Sequence, residues 1–498
     1  MTHGIRPDLL AFVLGLCAAC GSSAGSTPRN VLLITLDTTR ADYLSCYGRP
    51  GGVTPSGVTP SLDALAAEGT RFDLAVSTAA VTPVSHASIL TGLYNHEHGL
   101  RVIYADGGYR LSDEAETLAT VLAAHGFHTR AVHSAFPVSR FFGLERGFDV
   151  FEDMQSDMKK KKKGEFRWDV GDHQRRSDET TELVTSQLDA QLDREPFFLW
   201  VHYWDPHDLA RLPPGLDRFD PRAKVMPGVQ AFYAEEVQYM DAQIGRLLEA
   251  LRARGLYEDT LVVVVADHGQ GLMDHGWAGH RLLYQEQIRV PLIVRVPGAE
   301  QAAAVPDLVR TVDIFPTILD YLRIEPPRPV SGRSLRALIE GAPDAPRTAL
   351  ADQINGYDWN AGMVDERPLD DFLYLAMERD WKLIYRPRHF RKSELYHLAS
   401  DPREEHDLFA TRPEEARRLL QQLAEEAPWV TGPFEPIGDR QDDATLVDAR
   451  RSLSELGYTG SAPVEAEWAW TCPAHLDQRR DAPGPCPSCG GAPLLIGR

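Results

Sequence analysis

TLVVVVADHG, residues 260–269, is an unbroken run of apolar and β-branched residues that stops at Asp267, His268 and Gly269. A strand wetted on one face alternates apolar and polar residues. This one does not, so it reads as a strand buried on both faces of a parallel sheet. Two further runs behave the same way. NVLLITLD (30–37) ends in Asp37, and PFFLWVHYWDPH (196–207) ends in Asp205 and His207. Helical patterns lie between them, in SLDALAAEG (61–69), ETLATVLAAHG (116–126) and residues 232–254. Alternating strands and helices predict an α/β fold with a doubly wound, mostly parallel sheet. Such sheets bind ligands beyond the carboxyl ends of their strands. All three runs place carboxylates at that edge, and two place imidazoles there.

Asp, Asp and His form a divalent-metal set of hard-to-borderline character. VTPVSHASILTG (81–92) supplies a hydroxyl for it. Thr82 is expected as a helix N-cap, with Pro83 in the first turn. A helix N-terminus favours an anion, and a metal beside a hydroxyl makes a nucleophile. Thr82 therefore reads as a metal-bound nucleophile for an anionic ester.

The wider pattern resembles the sulfatase branch of the alkaline phosphatase superfamily. The resemblance is carried by NVLLITLDTTRADYLSCYG (30–48), the Thr82 segment with LYNHEHGL (93–100), VHYWDPH (201–207) and the stretch 262–298 beginning VVVVADHGQG. VRTVDIFPTILDYL (309–322) and ELYHLASDPREEHDLF (394–409) extend it. It implies an alkaline phosphatase-like fold and a metal-dependent hydrolase of sulfate esters. It also implies one metal (Ca, Mn or Zn) on Asp37, Asp267 and His268, with Thr82 attacking. Asp205, His207, and His280 or His275 would hold a second metal. With a single metal, His207 and His280 would instead touch the substrate or protonate the leaving group. His86 would orient the Thr82 loop, and His98 would support the site from behind.

The chain departs from the sulfatase pattern at the nucleophile. Sulfatases begin Cys or Ser, x-Pro-Ser-Arg, and convert the first residue to formylglycine; here the stretch is Thr82-Pro83-Val84-Ser85-His86. Thr-x-x-x-His is similar to the phosphodiesterase branch, so a phosphodiesterase or phosphonate monoester hydrolase is the alternative. A non-catalytic binding lipoprotein is a second alternative. The substrate is expected to be a small-molecule or glycan anionic ester. A net charge of −20 argues against a nucleic-acid partner.

The remaining segments read separately. Residues 1–20 place Arg6 before an apolar run, Leu9 to Ala19, that is too short to span a bilayer. With Cys17-Ala-Ala-Cys20 and a small-residue linker they resemble a bacterial lipoprotein leader lipidated at Cys20. That implies a lipid-anchored protein of the bacterial cell envelope; a plain cleaved signal or an uncleaved anchor is the other reading. The catalytic domain is expected over 28–345, with the Lys159–Lys163 run as a solvated insertion. Residues 346–425 predict a small antiparallel α+β subdomain. DFLYLAMERDWKLIYRP (371–387) would form two strands meeting at Arg379-Asp380, ELYHL (394–398) a third, and PEEARRLLQQLAEEA (413–427) a helix. A linker and helix fill 426–467. In the tail, 468–498, Cys472-x2-His475 and Cys486-x2-Cys489 have the spacing of a zinc site. The tail resembles a small heavy-metal-binding domain; a disulfide between two of its cysteines is the other reading.

Overall fold

The computed structural model describes residues 1, 27–48, 58–103, 105, 108–153, 174–191, 196–207, 229–299, 302–358, 361–427 and 468–497. The leader with Cys20, the Lys159–Lys163 run and nearly all of the 426–467 linker lie outside the described residues. No helix among the described residues is long and apolar enough to cross a membrane.

The large sheet has eight strands: β1 (Asn30–Leu36), β2 (Thr70–Val76), β3 (His128–Val132), β4 (Val150–Glu152), β5 (Phe197–Tyr203), β6 (Thr260–Ala266), β7 (Arg289–Arg295) and β8 (Ala303–Arg310). Their spatial order is β4-β3-β5-β1-β6-β7-β2-β8. The three runs singled out in the sequence are its centre. β1 pairs in parallel with β5 on one side and β6 on the other, and every residue of the three is buried. Only β7 runs against its neighbours. The sheet is therefore mixed but mostly parallel, as the uninterrupted apolar runs require. The three expected helices form at Pro60–Glu68 (α1), Leu118–Ala124 and Val229–Ala253.

The second sheet is small and antiparallel; its strands β9 (Ala349–Gln353), β10 (Leu373–Met377), β11 (Trp381–Tyr385) and β12 (Glu394–His397) lie in the order β12-β11-β10-β9. β10 and β11 turn at Glu378–Asp380, and β12 follows. β9, a fourth strand, has no alternation in ALADQ and was invisible to pattern reading. The helix Pro413–Glu426 lays Ala416, Leu419, Leu420 and Leu423, one face at helical spacing, on β10 and β11. A third sheet, β14-β13-β15, is made of Trp468–Cys472 (β13), His475–Arg480 (β14) and Leu494–Gly497 (β15).

The Thr82 helix differs from expectation by one position. It spans Thr82–Thr91 (α2), so Val81 is the N-cap and Thr82 the first helical residue. The Val81 side chain makes no capping bond, and the Thr82 hydroxyl is turned to other partners. All ten residues of α2 are buried.

Candidate active site

The backbone ladder continues one residue past the strands. Asp37 N–H donates to Tyr203 O (2.9 Å) and Asp267 N–H to Leu36 O (3.2 Å). Both carboxylates are thereby held side by side at the carboxyl edge, in the middle of the sheet. Asp37, Asp267 and His268 present ligand atoms within 4.8 Å of one another, and none of the three is exposed.

Each carboxylate has one oxygen tied and one oxygen open. Asp37 Oδ2 accepts from His202 Nε2 (3.2 Å), while Oδ1 has no donor. Asp267 Oδ1 accepts from the N–H groups of Thr38 (3.0 Å) and His268 (2.6 Å), while Oδ2 has no donor. Burial, and then the charge of Asp267, push the Asp37 carboxyl well above its ordinary range. Burial raises Asp267 too, against the two N–H bonds that favour its charge. Two adjacent buried carboxylates with unmatched oxygens are costly unless a cation compensates them.

The imidazole completes a cation's donor set. His268 Nδ1–H donates to Gly269 O (2.9 Å), which leaves the lone pair on Nε2. Burial and the neighbouring His280 keep the ring neutral by lowering its pKa. Thr82 Oγ1 lies 3.2 Å from that Nε2. The residues present thus fit a divalent cation beside the hydroxyl, with oxygen and nitrogen donors only.

The local chain explains how these groups are held. Thr38, a β-branched residue, adopts φ +46°, a costly left-handed turn that aims its N–H at Asp267. The Tyr233 hydroxyl secures the turn by donating to Thr38 O (2.5 Å) and accepting from Arg40 N–H (2.9 Å). Gly269 is required because a Cβ there would stand 2.1 Å from Glu286 O. Ser77 and Ser85 donate to Asp267 O (2.5 and 2.7 Å) and join α2 to the end of β6.

Other histidines fall at graded distances. His86 Nδ1 donates to Thr82 O (2.8 Å) and lies 3.6 Å from Asp267 Oδ2; burial pushes its pKa down to about 4. His280 Nδ1 donates to Ala80 O (2.8 Å), and its ring centroid is 4.6 Å from that of His268 and 5.4 Å from that of His207. His207 stacks on Trp204 at 3.9 Å. His98 stands farther back, its Nε2 3.0 Å from Ser88 Oγ on α2.

Among the described residues, Asp205, His207, His275 and His280 do not form a cluster of ligand atoms like that of Asp37, Asp267 and His268. Asp205 accepts from Ser177 N–H (3.1 Å) and from the Ser177 hydroxyl, at the start of the helix Ser177–Gln191. His275 places Nδ1 3.0 Å from Glu286 Oε1 and Nε2 3.1 Å from Glu404 O, and stacks on Tyr284. Both side chains are committed to local structure. Conversely, pattern reading missed His202. Its signal was an imidazole inside an otherwise apolar strand, where burial demands a partner.

Residues 29–324, more than half of the chain, match the family model Sulfatase, and residues 273–428 match N-sulphoglucosamine sulphohydrolase, C-terminal. N-acetylglucosamine-6-O-sulfatase of Bacteroides thetaiotaomicron is 26% identical over 520 residues, covering 84% of this chain and 89% of that protein. A solved structure in complex with its substrate D-glucosamine-2-N,6-O-disulfate superposes with TM-score 0.60 at 22% identity, over 80% of this chain and 98% of that one. The phosphonate monoester hydrolase of Agrobacterium radiobacter superposes with TM-score 0.63 at 22% identity, over 83% and 100%. With the sheet order, the small antiparallel sheet and the Asp37–Asp267–His268 edge already established, the match over residues 29–324 places this chain in the sulfatase family of ester-hydrolysing enzymes.

Proposed function

We propose that the enzyme cleaves sulfate monoesters of saccharides, with Thr82 Oγ1 as the attacking atom. One observation carries this reading: Thr82 Oγ1 stands at the N-terminus of a fully buried helix, 3.2 Å from His268 Nε2. Asp37 Oδ1, Asp267 Oδ2 and His268 Nε2 would hold a divalent cation, Ca²⁺, Mn²⁺ or Zn²⁺. When bound it lowers the pKa of the Thr82 hydroxyl and polarises the sulfate. The N-terminus of α2, where Thr82 is the first residue, would favour the anion. Thr82 Oγ1 then attacks sulfur, and an O–S bond forms as the S–O bond to the saccharide breaks. His280, its Nδ1–H donated to Ala80 O, would relay the proton lost by the Thr82 hydroxyl through Nε2 to the departing oxygen, so no proton is drawn from elsewhere. Water next attacks sulfur, the Thr82 Oγ1–S bond breaks, one water proton returns to Oγ1, and hydrogen sulfate leaves. The saccharide half is suggested by the glucosamine derivatives in the names of the relative and of the substrate complex.

A second reading, hydrolysis of phosphodiesters or phosphonate monoesters, is favoured by Thr82 itself, which cannot become formylglycine and matches the Thr-x-x-x-His arrangement. The two readings separate in kinetics on an aryl sulfate, an aryl phosphodiester and an aryl phosphonate, with each metal in turn and Thr82→Ala alongside. Best turnover of the sulfate, abolished in Thr82→Ala, supports the first. A preference for the phosphorus esters overturns it. Equal inertness of wild type and variant, with no metal in the large domain, supports a non-catalytic binding protein.

A further inference from the structure

The C-terminal sheet carries a second cluster of ligand atoms, beyond residue 428 where the family matches end. Cys472 closes β13 and His475 opens β14, and the two residues face each other across the hairpin. Cys486 and Cys489 sit on a turn closed by Gly490 N–H to Cys486 O (2.7 Å) and Cys486 N–H to Gly491 O (2.9 Å). Thr471 Oγ1 donates to His475 O (2.8 Å) and closes the other knuckle.

The spacing of the ligand atoms is that of a coordination shell. Cys472 Sγ lies 3.7 Å from Cys489 Sγ and 3.5 Å from His475 Nδ1, and Cys486 Sγ lies 3.4 Å from the same Nδ1. A tetrahedral Zn²⁺, with Zn–S of about 2.3 Å and Zn–N of about 2.0–2.1 Å, has S···S edges of about 3.8 Å and S···N edges of about 3.6 Å. A disulfide between Cys472 and Cys489 would need about 2.05 Å and would leave Cys486 and His475 without a role. Gly491 belongs to the same construction, since a Cβ there would press on Cys489 Sγ at 3.3 Å.

We propose that Cys472, His475, Cys486 and Cys489 hold one structural Zn²⁺, which fastens the three-stranded sheet onto the small antiparallel sheet. Three thiolates and an imidazole select a borderline, tetrahedral ion over Ca²⁺ or Mn²⁺. Four protein ligands close the shell, so the ion has no open position for chemistry. The fastening runs through β15. The Tyr385 hydroxyl on β11 donates to Leu495 O, and Leu494 is buried in the same apolar core as Tyr385. A segment this short cannot fold on its own apolar area, so the metal supplies the missing free energy.

Loading the full chain with Co²⁺ tests the site, because only a thiolate shell gives sulfur-to-cobalt charge-transfer absorption in the near ultraviolet. The expected result is one such cobalt per chain, displaced by Zn²⁺, retained in Asp37→Asn and lost in Cys486→Ser with Cys489→Ser. A wild-type chain that takes up cobalt without this absorption, or that carries a Cys472–Cys489 disulfide, overturns the proposal. Hydrogen–deuterium exchange on the wild type tests the fastening. Chelation is expected to release protection in β15 and in β11 around Tyr385, and unchanged protection there after zinc removal overturns that half.

Discussion

His202 Nε2 donates to Asp37 Oδ2 at 3.2 Å, while Nδ1 of the same ring accepts from Ser134 N–H at 3.3 Å. The Ser134 N–H donor at Nδ1 forces the ring proton onto Nε2, so the ring has one tautomer and one orientation. It therefore fixes Asp37 with Oδ1 directed into the site. Removing such a partner of a ligating carboxylate typically costs roughly 10–100-fold in metal affinity. His202→Phe is expected to weaken metal binding by that order, measured by competition with a chelator. His202→Gln, which restores an N–H near Nε2, is expected to lose less. Equal losses in the two variants would make His202 a packing residue only.

Asp267→Asn separates stability from function. In the metal-free protein the paired charges of Asp37 and Asp267 are a burden, and neutralising one removes their repulsion. With both proteins chelated, the variant is expected to melt several degrees above wild type, yet show no hydrolysis and no stabilisation by added Ca²⁺ or Mn²⁺. A variant less stable than chelated wild type would mean that the two sites do not repel in the fold.

Lys382 and Glu404 form an ion pair at 2.5 Å with both side chains fully buried in the small-sheet region. Burial lowers the lysine and raises the glutamic acid, each offset by the other's charge. Lys382→Met leaves Glu404 uncompensated, and the expected loss is about 3–5 kcal/mol in denaturant unfolding. Adding Glu404→Gln is expected to recover part of that loss. Full additivity of the two changes would rule the coupling out.

His275 places acceptors at both ring nitrogens, Glu286 Oε1 and Glu404 O, so both nitrogens donate and the ring is held as imidazolium. Burial opposes that charge, but the Glu286 bond and carboxylate outweigh it and lift the pKa to about 9. A pKa raised on folding stabilises fully below the unfolded value of about 6.5 and loses that contribution as pH rises through about 9. Melting temperature is expected to fall across that window in wild type. In His275→Asn, which tolerates the φ of +51°, it is expected to fall less. Parallel profiles would show that His275 does not titrate in this range.

The centre of the molecule was legible because its residues have only one way to be satisfied. NVLLITL, FFLWVHY and TLVVVVA carry no wet face, so they had to lie in the interior of a parallel sheet, and their terminal Asp37 and Asp267 had to reach one edge. Thr82 and His268 joined them through motifs whose order along the chain was already informative. β9, without periodicity, and the reversed β7 were not legible, because strand direction depends on where a connection returns.

What only the tertiary structure decided is which side chain spends its hydrogen bonds where. Asp205 and His275 had the right chemistry for a second metal, but Ser177, Glu286 and Glu404 take up their donors and acceptors. His202 lay inside VHYWDPH without being singled out, yet the β1–β5 pairing, which sets it opposite Thr35, brings its ring to Asp37. The sequence determined the sheet, its edge and the residue types delivered there, because buried apolar runs admit few arrangements. The partners of each buried polar atom come from segments distant along the chain, and no local spacing encodes them.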